Sequence, residues 1–214
     1  MKKHIAVIGL GLFGTSVAET LVQQGHYVLG IDIDEQRVQQ LSRQLNQCVS
    51  VSNVDEESLL SLGIKEYDAV VVAIGDIEAN IMVVQTLQEL GVKRVMAKAV
   101  SHRHGRVLQR LGVTQVIFPE HDMGVRAAHS LSGDRIIDYI ELSHDYNIIE
   151  VQAPPQFVGK TLAEIDLRKQ YQISLIAIKT AQSILVSPAA ETIITARSIL
   201  VVIGKNEDLT QFYD

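Results

Sequence analysis

The sequence predicts an α/β fold: a Rossmann-like, doubly wound parallel sheet followed by a small α+β domain. Three observations predict it. Short apolar runs rich in β-branched residues recur between residues 4 and 118, helix-like stretches separate them, and beyond residue 138 strands gather around one short helix. Runs that are apolar at successive positions suit parallel strands covered on both faces.

Strands are expected at residues 4–8, 27–31, 48–51, 69–74, 94–98 and 115–118, with helices at 12–24, 35–44, 56–61, 77–90 and 102–111. Ile81, Val84, Leu87 and Leu90 show the spacing of one buried helical stripe. Gly25, Gly63, Gly91 and Gly112 each follow a helix, where a left-handed C-terminal cap suits glycine. Asp34 and Ser101 stand at N-cap positions. Short connections and right-handed crossovers then give the doubly wound sheet.

The rhythm breaks after residue 118. Residues 119–132 read as one more helix, and Ser132-Gly133-Asp134 as its end and a joint. Strands at 139–142, 147–152, 174–179 and 198–203 surround a helix at 162–169. The expected organisation is therefore a nucleotide-binding lobe at 1–118, a crossover helix and linker at 119–137, and a second lobe at 138–214. A lobe of about 75 residues is marginal alone, so dimerisation is expected to complete its core.

Composition bounds the function. With 47% hydrophobic and 21% charged residues the 214-residue chain reads as folded, not disordered. The aliphatic run at 69–74 is far short of the roughly 18–20 residues needed to span a bilayer, and the N-terminus lacks a secretory pattern. A net charge of -6 offers no global positive field, which argues against nucleic acid as the partner. One cysteine, Cys48, excludes an intrachain disulfide and reads as a small buried hydrophobe.

The densest chemical signal is Gly9-Leu10-Gly11-Leu12-Phe13-Gly14, between the first strand and first helix. There Gly9 permits the turn, Gly11 admits a pyrophosphate to the backbone, and Gly14 lets helix and sheet pack closely. The helix N-terminus adds unpaired N–H groups. Asp32 ends the second strand, where a carboxylate can take both ribose hydroxyls and repel a 2′-phosphate. The adenosine half is expected over Asp32, Ile33 and Asp34 and against Ser52-Asn53-Val54; Asn53 reads equally as a plain helix-start residue. Ala73-Ile74-Gly75 faces the other half of the ligand at the switch point.

Catalytic signatures do not accompany this loop. The ionisable residues after 138 show no base with an orienting partner, His102 and His104 point to different helix faces, and a Ser-His-Asp pattern is missing. A redox-sensing repressor would need a basic winged helix, which neither end supplies. A ligand-gated regulatory module and a small NAD-dependent oxidoreductase remain.

Four segments carry a family resemblance: residues 6–14, then Val72-Ala73-Ile74-Gly75, then Phe118-Pro119-Glu120-His121-Asp122-Met123-Gly124, then Leu185-Val186-Ser187-Pro188-Ala189. Over its whole length the chain resembles the cytosolic RCK (KTN) regulatory subunit of Ktr/Trk-type bacterial potassium uptake systems. That resemblance implies two lobes joined by a crossover helix, homodimers assembled into a homo-octameric ring, and cytoplasmic attachment to a separate membrane potassium-translocating subunit. It implies that ATP/ADP or, in the Trk branch, NAD(H) changes the ring's shape and gates that subunit. By carry-over, Gly9, Gly11, Phe13 and Gly14 line the phosphates, Asp32 holds the ribose, Lys98 lies near the phosphate tail, and Glu120 helps bind a divalent cation such as Mg2+ or Ca2+ between facing nucleotides. Lys98 also reads as an exposed strand-end lysine, and Glu120 as a helix-start carboxylate.

Leu12 departs from the ATP-gated pattern, which has an arginine inside the loop. Leucine supplies neither charge nor donor, so the choice among ATP, ADP, AMP and NAD(H) stays open. In some relatives the second lobe binds cyclic di-AMP at its dimer interface; Ile173, Ile176, Ile178 and Pro188 suit either such a cradle or a dimer core.

Overall fold

The structure, a computed structural model, describes residues 1–132 and 135–213. The joint expected at 132–134 falls largely outside these residues. The chain divides into two compact units, Met1–Glu120 and His121–Asp214.

The first unit runs β1 (His4–Ile8), α1 (Leu12–Gln23), β2 (Tyr27–Asp32), α2 (Glu35–Leu41), β3 (Gln47–Ser50), α3 (Glu56–Ser61), a 3-10 turn (Ile64–Glu66), β4 (Ala69–Val72), α4 (Ile77–Glu89), β5 (Val95–Lys98), α5 (His102–Arg110) and β6 (Gln115–Ile117). All six strands are parallel, in the order β3-β2-β1-β4-β5-β6. Sequence order therefore reverses between β1 and β4, where open α/β sheets form a crevice at their C-terminal edge.

Both faces of this sheet are covered. Ala6 and Ile8 of β1 join Leu59, Val84, Leu87 and Leu108 in one core, which seats α3, α4 and α5. Ile5 and Val7 turn the other way, to Ala18 of α1 and Leu41 of α2. This double burial explains why β1, β2 and β4 are apolar at nearly every position.

α6 (Pro119–Ser132) follows, all but its first two residues belonging to the second unit. The second unit then contains β7 (Ile136–Glu141), β8 (Tyr146–Gln152), a 3-10 turn (Pro155–Phe157), α7 (Leu162–Ile165), α8 (Leu167–Tyr171), β9 (Ser174–Lys179), β10 (Ile184–Val186), β11 (Ile199–Lys205) and α9 (Asn206–Tyr213). Its sheet is antiparallel, ordered β10-β9-β11-β8-β7. Burial alternates along β8 and β11, so Ile149, Val151, Leu200 and Val202 share the core face with Ile173, Ile194 and Phe212.

Several expectations need adjustment. β4 stops at Val72: the Ala73 N–H bonds Ile8 O at 2.7 Å and the chain then leaves the sheet. α2 ends at Leu41, whose carbonyl takes the N–H groups of both Gln44 and Leu45, so residues 42–44 form a turn. The helix expected at 162–169 is two, broken where Asp166 adopts φ 44°. β10 and α9 are additional elements. The hairpin before β10 has no glycine or proline to announce it; the Thr180 N–H to Ser183 O bond closes it instead. Cys48 is half-buried, and desolvation raises its thiol pKa. Asp34 and Ser101 cap their helices, Asp34 accepting from Gln36 and Arg37 and Ser101 from His104. No helix among the described residues is long and apolar enough to cross a membrane.

Candidate functional site

The glycine loop is held by backbone contacts that a side chain would break. Gly9 has φ +94°, and a Cβ there would lie 3.0 Å from the Ala73 carbonyl carbon and the Ile74 nitrogen. On Gly14 a Cβ would sit 1.8 Å from the Gly9 oxygen and 3.1 Å from the Ala73 Cβ. The turn and the first helical residues are thus pressed against the loop after β4, which only glycine permits. Gly11 is different: a Cβ there would meet nothing within 4 Å. It is the N-cap of α1 without a side-chain cap, so this helix start presents backbone donors at an open position.

Asp32 lies beneath the loop and is 5% exposed. Its Oδ2 accepts the Leu10 N–H at 2.6 Å, and its Oδ1 accepts the Asp34 N–H at 2.9 Å. The carboxylate therefore ties the glycine loop to the end of β2, leaving its remaining lone pairs as acceptors for a ligand. Arg37 crosses this end, with Nη1 3.6 Å from Asp32 and Nε 3.3 Å from Asp34. Around them Ile33 is 65% exposed, and Leu12, the first residue of α1, is 96% exposed. Phe13 is half-buried.

Ala73 and Ile74 adjoin the loop, and Gly75 is exposed with open space where a Cβ would stand. Ser52 and Asn53 are exposed, whereas Val54 packs on the core. That stretch joins the Asp32 end through the Val51 N–H to Asp32 O bond and is pinned by a capping box between Asp55 and Ser58. Lys98 and Glu120 meet: Nζ lies 2.5 Å from Oε1, with the lysine side chain 12% exposed and the glutamate 64%. The hydrogen bond from Lys98 holds the Glu120 carboxyl below the usual glutamate range.

Glu120 faces an ammonium, and among the described residues no three of His, Cys, Asp and Glu come together to hold a metal ion.

The TrkA-N domain matches residues 5–119, and the TrkA-C domain matches residues 148–214. The chain is 38% identical over 213 residues to the Ktr system potassium uptake protein C of Bacillus subtilis (strain 168), spanning 99% of this chain and 96% of that protein. Identity is also 38% with the Ktr system potassium uptake protein A of the same organism, over 98% and 95% of the two chains. The chain belongs to the TrkA-N/TrkA-C family of Ktr- and Trk-type potassium uptake proteins. Among solved structures, the GsuK channel bound to NAD shares its fold, with a TM-score of 0.70 at 22% identity, over 98% of this chain and 38% of that one.

Within this TrkA-family chain, the structure gathers Gly9, Gly11, Gly14, Asp32, Asp34, Ala73 and Ile74 at one edge of the first sheet and pairs Lys98 with Glu120. It does not gather the four TrkA-C positions. Ile173 and Ile178 lie in the core of the second unit, while Ile176 is the extra residue of a β-bulge, since Val201 pairs with Ala177 and Val202 with Leu175. Pro188 instead lines a cavity of about 300 Å³ with Leu162, Asp166, Arg168 and Leu175.

Arg37 and Asn80 were not singled out from the sequence. The spacing Asp32-x-Asp34-x-x-Arg37 was the available signal for the first. For Asn80 it was a polar residue one turn before Val83 and Val84, on the buried side of α4.

Proposed function

We propose that this chain is a cytoplasmic regulatory subunit, not an enzyme, that binds an adenine nucleotide in the first unit and gates a separate membrane potassium-translocating subunit. ATP, ADP and NAD(H) are the candidate ligands, and the working form is a homodimer assembled into a homo-octameric ring. The observation that carries the reading is the buried Asp32 carboxylate bonded to Leu10 and Asp34, below an open helix start at Gly11. Such a site offers acceptors to ribose hydroxyls and N–H donors to phosphates at adjacent positions. The potassium uptake proteins to which the chain is 38% identical support the regulatory role, and the NAD-bound GsuK channel keeps NAD among the ligands to test. A ligand does this work only by preferring one shape of the assembly over another.

Calorimetry with ATP, ADP, AMP, NAD and NADH side by side tests the proposal; binding of at least one is expected. Asp32→Asn should weaken that ligand about tenfold or more, because the amide turns an N–H toward one of the backbone donors that Asp32 now accepts. Undiminished affinity would refute the ribose assignment. Substrate-dependent turnover of NADH would favour the oxidoreductase instead.

A second ligand, cyclic di-AMP, is proposed at the second unit. Of the four expected positions only Pro188 lines a cavity, where Arg168 supplies a cation beside Asp166 and Leu175 an apolar wall. An unchanged melting temperature at saturating cyclic di-AMP would count against it.

A further inference from the structure

Asn80 is a wholly buried amide on the first turn of α4, at 0% exposure. Its Nδ2 donates to two carbonyls that belong to different strand connections: Ile74 O at 2.9 Å, in the loop after β4, and Lys98 O at 3.2 Å, at the end of β5. The amide orientation follows from these partners, since reversing it would set Oδ1 against two carbonyl oxygens. Among the described residues Oδ1 itself accepts no hydrogen bond. A polar group buried with an unsatisfied acceptor carries a cost that an apolar residue filling the same space would avoid. The cost is offset by what the two donors fix in place.

Both carbonyls lie on the β4–β5 side of the switch point between β1 and β4. Ile74 follows Ala73, the residue against which Gly9 and Gly14 are packed, and Lys98 carries the ammonium paired with Glu120. One side-chain nitrogen thus ties the glycine-loop wall to the backbone of the lysine. Serine could satisfy only one of the carbonyls, and aspartate neither. We infer that Asn80 is a positioning residue of the nucleotide site, holding Lys98 at the distance from the glycine loop at which it can meet a ligand's phosphates. This inference rests on the nucleotide reading given above.

A double-mutant cycle in the full-length chain tests it. ADP and adenosine are titrated by calorimetry into wild type, Asn80→Ser, Lys98→Met and the double variant. If Asn80 acts through Lys98, Asn80→Ser lowers ADP affinity about tenfold, or about 1.4 kcal/mol. In the Lys98→Met background the same change costs less than about twofold, because coupled residues do not add. Adenosine, which has no phosphate, binds equally in wild type and Asn80→Ser. A tenfold loss in both backgrounds, or an equal loss for adenosine, would overturn the inference and leave Asn80 as packing. If Asn80→Ser is too unstable to titrate, Asn80→Gln, which keeps both donors on a longer stem, enters the same cycle and is judged by the same non-additivity. Wild type that binds ADP with additive variants rejects the positioning role alone; wild type that binds no adenine nucleotide rejects the site as well.

Discussion

The first unit buries its sheet on two faces and the second mainly on one, and the strands record the difference. β2 is buried at five successive positions, from Val28 to Asp32, whereas β8 alternates between buried and half-buried residues. The contrast extends to the margins. In the first unit the strand ends turn into connections that meet at the cleft, while in the second the edge strand β10 leaves Ile184, Leu185 and Val186 all exposed. Continuous apolar runs therefore report covered faces, and alternation reports a half-covered sheet.

The sharpest way to break the comparison is at the backbone contact of the first unit. Gly14→Val should abolish nucleotide binding and cost more than about 3 kcal/mol, because its Cβ would overlap the Gly9 carbonyl and no flexible side chain can yield. Denaturation and calorimetry on the same preparation check both parts.

Truncations in the two cores come next. Leu87→Ala in the first unit and Leu200→Ala in the second each remove a fully buried side chain, at a cost of about 3 kcal/mol. Each should lower one of two calorimetric transitions and leave the other in place. A single transition that moves with either variant would show that the two units unfold as one.

A smaller, pH-dependent effect sharpens the contrast further. His104 of α5 is 3% exposed and accepts the Val100 N–H, and burial pushes its imidazole below the ordinary value of about 6.5. The unfolded chain then binds more protons than the folded one between the two pKa values. Its contribution is complete above about pH 6.5 and is lost as the pH falls toward the folded value. The first transition should drop on acidification from pH 7 to 5 by less than either leucine truncation costs, and His104→Gln should remove that component. The depressed carboxyl of Glu120 acts in the same direction at lower pH, as the solution passes below the glutamate range.

How much of this was legible in the sequence follows the same division. The first unit's strands and helix starts could be read because double burial and capping are local signals, as at Asp34 and Ser101. The turn at Gly9, the close packing at Gly14 and the place of Asp32 were equally readable, since each rests on a residue type that the backbone geometry demands. The second unit yielded less. Asp166 and Gln172 adopt positive φ without being glycine, so the break between α7 and α8 had no marker. Side-chain partnerships were hidden too: Arg37 with Asp32 and Asp34, Lys98 with Glu120, and Asn80 with two carbonyls depend on folding that brings distant segments together.

Leu12 and these three ion pairs together bear on how a ligand arrives. Arg37 is outnumbered by Asp32 and Asp34, Lys98 is paired with Glu120, and the exposed Leu12 at the start of α1 adds no charge. Long-range electrostatic steering has little unbalanced positive charge to work with here. An anionic ligand approaching a chain of net charge -6 is repelled at long range, so its rate of capture should rise as added salt screens that repulsion.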